Sequence, residues 1–312
     1  MSKFHLPYPN YVAPFNLDFD TKLSFIGSCF SDSIAAIATS HGFNTLSNPF
    51  GTIFHPIPII ETLRAVIKDF EGIDFLDKKD FVTDWGSSHL LQSSNIQNHK
   101  KLILEKRQGL KRQLSGKSCL FITLGTSIGY RCLELNKIVA NCHKEPAKAF
   151  IKENSGVFDM FNVWEEVVKE LQSWNAELKI VFTLSPVRHI KDGLIENQRS
   201  KSRLSACLEL LEERNDISYF PSFEFINDVL RDYRFYNDDL IHPNQQAINE
   251  VWLLFQQAYL TAQYRDISDR IFKVNQAKNH KTLHENKEEQ KKLKDWIEKQ
   301  NELIQKLINQ SS

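Results

Sequence analysis

Two short stretches of this 312-residue chain hold residue types capable of nucleophilic chemistry. The first is Phe25-Ile26-Gly27-Ser28-Cys29-Phe30, where the apolar run Leu23 to Ile26 meets a glycine and then the amphipathic segment Ser33 to Ala38. That order predicts a strand, a tight bend and a helix opened by Ser31-Asp32. A side chain at such a bend lies beside unpaired backbone N–H groups at the positive end of the helix, which favours a thiolate or an oxyanion. The second stretch is Asn237-Asp238-Asp239-Leu240-Ile241-His242-Pro243, in which Asp239 precedes His242 by three positions. A carboxylate that near can accept the Nδ1–H of the imidazole and leave Nε2 to take a proton. Cys29 or Ser28 as nucleophile, His242 as base and Asp239 as orienter therefore make one arrangement. Cys29 is the first choice, since a thiol beside a His and a helix N-terminus is expected to ionise near neutral pH. Ser28 is its rival.

These residues need a scaffold to bring them together. Apolar runs at 118–124 and 178–184, with shorter ones at 43–46 and 217–220, read as strands. Helical spacing recurs over 57–67, 100–115, 163–174, 197–213, 223–233 and 243–264, with Leu204, Leu208 and Leu211 on one face. Such alternation means an α/β domain with a largely parallel sheet, whose ligands bind at the carboxyl ends of the strands. The loops after Ile26, Leu124 and Leu184 are therefore expected to meet on one rim. Pro7, Pro9 and Pro14 give residues 1–21 the reading of an extended arm, 69–98 carry no clear period, and 130–143 have room for a hairpin. Beyond Ala262 the composition turns to Lys, Glu, Gln and Asn, so residues 1–262 are read as the catalytic domain and 263–312 as a charged helical tail. Its apolar stripe, Leu293, Trp296, Ile297, Leu303, Ile304, Leu307 and Ile308, predicts a long helix that packs on its own body or makes a homo-oligomer.

Composition excludes several classes. Lys plus Arg equals Asp plus Glu at 39 each, which gives no global electrostatic case for nucleic acid or an anionic membrane. No run is long enough to span a bilayer and the first residues do not read as a signal peptide, so the expected location is cytoplasmic. Cys29, Cys119, Cys132, Cys142 and Cys207 are widely spaced without a CxxC, which argues against a disulfide framework and a metal site.

Gly27-Ser28-Cys29-Phe30, followed by Asn48-Pro49-Phe50-Gly51-Thr52, Ser185-Pro186-Val187-Arg188-His189 and the Asp239–His242 motif, resembles the GSCFA family within the SGNH, or GDSL-type, hydrolase superfamily. The resemblance covers roughly residues 5–260, about one large α/β domain. It implies a three-layer α/β/α sandwich around a five-stranded parallel sheet in flavodoxin-like order. By position it puts Cys29 where the superfamily's nucleophilic Ser stands and Ser28 where its Asp stands. It makes Gly51 an oxyanion donor through its backbone N–H, and it puts Ser127 of Gly125-Thr126-Ser127 in place of the Asn donor. Asp239 and His242 match the acid and base. The activity implied is hydrolysis of an acyl or acetyl ester of a small molecule or carbohydrate, without a cofactor. Acyl transfer at the same site, or a binding module that uses Arg188 and His189 to recognise an anion, are the alternatives. For Arg188 a carboxylate or phosphate clamp and hydrogen bonds that stabilise its own loop are equal readings, and His189, Asn48 and His89 are further candidates on the rim. Asn197 and Lys201, a turn apart, have room to face the same pocket, although an exposed polar face is the preferred reading.

Overall fold

The computed structural model describes residue 6 and residues 11–214, 216–279 and 287–310, so much of the arm expected over 1–21 lies outside the described residues. Strand β1 (Lys22–Gly27) leads into α1 (Cys29–Ser40), and β2 (Thr45–Ser47) into α2 (Pro56–Ile67). A first insertion is the hairpin of β3 (Phe75–Asp77) and β4 (Val82–Asp84), after which come α3 (Ile96–Leu114) and β5 (Ser118–Leu124). A second insertion, β6 (Ile128–Cys132), β7 (Lys137–Ile138) and β8 (Phe150–Asn154), forms its own antiparallel sheet, a strand richer than a hairpin. The body continues with α4 (Val157–Trp174), β9 (Leu178–Leu184), α5 (Leu194–Arg214), β10 (Ser218–Tyr219), the short α6 (Ser222–Glu224) and α7 (Gln245–Tyr259).

The main sheet runs β10-β9-β5-β1-β2 with every pair parallel. This is the flavodoxin-like order, and it divides the crossovers between the two faces. Because side chains alternate along a strand, β5 sends Cys119 and Phe121 to one layer and Leu120, Ile122 and Leu124 to the other. The first layer packs Phe25, Phe121 and Val181 against Phe30, Ile34 and Ala38 of α1 and Val251, Trp252 and Phe255 of α7. The second packs Ile122, Ile180 and Phe182 against Leu63 of α2, Leu110 of α3, Trp164 of α4 and Leu204 and Leu208 of α5. Both faces of the sheet are covered, which is why its strands read as unbroken apolar runs.

The expected closing helix over 243–264 is two helices. The arm before β1 donates Ala13 N–H to Ala258 O and Leu17 N–H to Tyr259 O, taking the terminal carbonyls of α7, and Leu260 turns extended. A new helix, α8 (Ala262–Asn279), then begins. The tail stripe lies on α9 (Lys287–Asn309), where Ile297, Ile304, Leu307 and Ile308 pack with Ile267, Ile271 and Val274 of α8 in the same chain. Among the described residues no helix is long and apolar enough to cross a membrane.

Candidate active site at the carboxyl rim of the sheet

The bend after β1 is built around Gly27, whose φ of +130° is disfavoured for other residues. A Cβ there would lie 2.1 Å from Thr123 O, so β5 leaves room for no side chain. Helix α1 starts three residues earlier than Ser31-Asp32 suggests. Ser28 is its N-cap, with Oγ accepting from Phe30 N–H at 3.2 Å, and Ser28 is fully buried. Its hydroxyl also shares a 2.8 Å hydrogen bond with Ser185 Oγ at the exit of β9. Cys29 is the first helical residue and remains partly exposed. Of the two neighbours, only the thiol is presented to solvent.

That thiol differs from the expectation of near-neutral ionisation. Burial, and then the nearby charge of Asp32, push its pKa above the ordinary value, and the backbone N–H groups of Cys29 and Phe30 and the Ser28 hydroxyl only partly offset them. Desolvation and a carboxylate one turn away outweigh the helix terminus.

The Asp239–His242 side is open. His242 Nδ1 is 2.6 Å from Asp239 Oδ2, and both side chains are nearly half exposed. Asp239 Oδ1 also accepts the N–H groups of Ile241 and His242, at 2.8 and 3.0 Å. These backbone bonds, with the imidazole, hold its carboxyl down to about 2. Arg188 fixes this loop in space: its N–H donates to Ile241 O at 3.4 Å, Nη1 to Leu240 O at 3.0 Å and Nη2 to Tyr236 OH at 3.1 Å. The guanidinium also lies 4.2 Å from the Tyr236 ring centroid and 5.3 Å from that of Tyr233. Arg188 is thus a latch between the β9 exit and the Asp239–His242 loop, and its fork is already engaged within the protein.

The other candidates divide similarly. Asn48 Oδ1 accepts Gly27 N–H at 2.9 Å and its Nδ2 donates to Asp32 Oδ2 at 2.9 Å, so its amide shapes the bend. Gly51, at φ +72°, lies so close under Ser88 that a Cβ would stand 1.9 Å from its Oγ, and its N–H donates to Asn48 O at 2.7 Å. That donor is spent on the turn. Ser127 is fully buried, with its N–H and Oγ directed to Ser200 Oγ at 2.7 and 3.3 Å. His89 is exposed and makes none of the site's hydrogen bonds, although Ser88 N–H before it holds Phe50 O at 2.9 Å. His189 anchors its N–H on Asn197 Oδ1 at 2.8 Å and sets its ring edge-on to Phe54, leaving Nε2 buried without a hydrogen-bond partner among the described residues. Burial and the charges of Lys201 and His242 bring His189 down to about 4, against the opposing pull of Asp192. Its ring lies within reach of the His242 charge.

Lys201, expected on an exposed face, is instead 2 % exposed beneath the rim, and its charge interacts with that of Cys29. The missed signal is its register: Lys201 precedes Leu204 by three and Leu208 by seven, so it stands on the apolar stripe of α5. A cavity of about 370 Å³ between α2, α3 and the insertions is lined by Phe50, Glu61, Trp85 and Arg107 but by none of the site candidates. No group of three or more His, Cys, Asp or Glu among the described residues is placed to hold a metal ion. Residues 22–255 match the model of the GSCFA family, and no curated protein matches the chain.

Proposed function

The chain belongs to the GSCFA family, and from that premise we propose that it is an SGNH-like acyl hydrolase that cleaves a carboxylic ester of a small molecule or sugar through Cys29, His242 and Asp239. The observation that carries this reading is the 2.6 Å Asp239–His242 pair, latched by Arg188 to the rim that also bears Cys29. Asp239 accepts a hydrogen bond from the Nδ1–H of His242, which holds the tautomer that leaves Nε2 as the proton acceptor. In the first half-reaction the Cys29 sulfur bonds to the acyl carbon while its proton passes to Nε2, and the imidazolium then protonates the departing alkoxide. Water, deprotonated by the same nitrogen, breaks the thioester and restores the thiol. The Cys29 N–H, first in α1 and so without a partner inside the helix, faces the developing oxyanion. An elevated thiol pKa suits this order of events, in which the proton leaves during attack rather than before it.

Acyl transfer follows the same steps with an alcohol in place of water. The raised thiol pKa also favours a second reading, a module that binds small molecules without turning them over. Five unpaired thiols accord with a reducing compartment, and we place the protein in the cytoplasm. Screening short acyl esters against the parent, Cys29→Ala and His242→Ala tests the hydrolytic reading. Turnover lost in both variants is expected, whereas turnover that persists near the parent level in either removes that residue from the mechanism.

A further inference from the structure

The ends of β5 and β9 pose a problem of unpaired carbonyls. Their register runs through Leu124 opposite Leu184, and Ser185 N–H donates to Leu124 O at 2.9 Å. The carbonyls of Gly125 and Ser185 follow, and a buried carbonyl without a donor is costly. Lys201 answers both: Nζ donates to Gly125 O and to Ser185 O, each at 2.6 Å. Its neighbour Ser200 accepts Ser127 N–H at 2.7 Å and lies 2.9 Å from Thr126 Oγ1. Two successive residues of α5 therefore hold the exits of both strands. From Ser185 the chain of bonds continues through its hydroxyl to Ser28, the cap on which Cys29 sits.

We propose that Lys201 is a positioning residue for Cys29: its amine fastens the exits of β5 and β9 and, through Ser185 and Ser28, the mouth of α1, while its charge acts on the thiol. This rests on the reading above only in taking Cys29 as the reactive group. The Cys29 charge on α1 bears on the amine, and the amine bears on His189 at the β9 exit, which in turn feels His242. Arg188 and Asp228 share with it a cavity of about 360 Å³. Burial brings Lys201 down to about 7, with the Cys29 charge opposing. An ammonium keeps both carbonyl bonds and adds a positive charge that favours the thiolate, whereas the neutral amine keeps the two bonds and loses the charge. The fastening thus persists through the titration and the field on Cys29 does not.

The test is the rate at which iodoacetamide alkylates Cys29, followed by peptide mass spectrometry on the full chain from about pH 5.5 to about pH 10, in the parent, Lys201→Met and Lys201→Arg. The parent should show an inflection near pH 7 besides the thiol's own ionisation. Lys201→Met should lose it and react up to about tenfold more slowly below it, since one pKa unit is a factor of ten. Lys201→Arg, which stays charged, should restore the low-pH rate without the inflection. A parent profile flat near pH 7, or superimposable parent and Met profiles, would overturn the proposal. Should Lys201→Met fail to fold, NMR titration of ε-¹³C-lysine in the parent decides, and a Lys201 signal titrating at the ordinary 10.5 would overturn it. Alkylation needs no turnover, so inert esters with the inflection present would sink the hydrolase reading alone. Active esters with a flat profile would sink Lys201 alone.

Discussion

Two Asp–His pairs, Asp84 with His99 and Asp239 with His242, stand in different surroundings. In the first insertion, Asp84 Oδ2 receives His99 Nε2 at 2.9 Å and Ser87 Oγ at 2.6 Å, and Ser93 Oγ meets His99 Nδ1 at 3.2 Å. His99 and Ser87 are fully buried, and both imidazole nitrogens are occupied. On the rim, Asp239 takes one nitrogen of His242 and the side chains remain nearly half exposed. Identical chemistry closed on itself ties β4 to α3, and the same chemistry with one nitrogen left open is equipped to move a proton. What separates the second pair from the first is an unfilled valence at the surface, and residue type alone does not reveal it.

Substituting the two histidines should break or sharpen that contrast. The largest effect is expected at the open pair: His242→Ala or Cys29→Ala should lower kcat/KM on a responsive ester by about 10³-fold or more, as for loss of a base or nucleophile. His99→Ala should leave kcat per folded molecule near the parent value, and a loss equal to that of His242→Ala would erase the distinction. Stability should show the reverse. His99→Ala leaves the buried Asp84 carboxylate short of a partner and should cost about 3–5 kcal/mol in urea unfolding, whereas His242→Ala, at an exposed pair, should leave the urea midpoint close to that of the parent.

A smaller effect is expected for Arg188→Lys, which keeps the charge but loses the fork to Leu240 O and Tyr236 OH. At about 1 kcal/mol per lost bond, the ester rate should fall about fivefold to thirtyfold with little change in substrate affinity. A rise in KM alone would instead make Arg188 a substrate clamp. The smallest effect concerns acid. Asp239 is depressed, so its stabilising contribution is present above the ordinary carboxylate value and is lost only as pH falls through about 2. NMR of the Asp239 carboxyl carbon should therefore show the His242 loop still assembled at about pH 3. A carboxyl titrating near the ordinary 3.8 would mean that the loop is looser than its hydrogen bonds imply.

Much of this arrangement was legible in the residues. The runs at 118–124 and 178–184 became β5 and β9 with their limits intact, because strands covered on both faces leave an uninterrupted apolar record. The Asp239–His242 spacing was equally readable, since three residues of one tight loop fix the contact locally. Contacts made across the fold were not. Arg188 offers the same guanidinium to a substrate or to Leu240 O, and only the approach of a segment about fifty residues away decides between them. For Lys201, polarity favours an exposed face over the pocket, yet its helical register points inward and the residue is buried, because a lysine's stem can be buried when its amine finds carbonyls. Ser28 and Cys29 differ only through the helix start, as one residue of register decides which of them caps and which faces out.

The Arg188 latch also governs time. Residues 236 and 240–241 are joined to residue 188 by three hydrogen bonds and by ring contacts on the guanidinium. Such a joint releases all its bonds together or hardly at all, so the loop carrying His242 has few intermediate positions to visit. Its amides should exchange with deuterium in step with those of the β9 exit, as one opening unit rather than as a frayed surface turn. The His242 imidazole would then have two settings, docked and undocked, and the proposed hydrolysis would need the docked one.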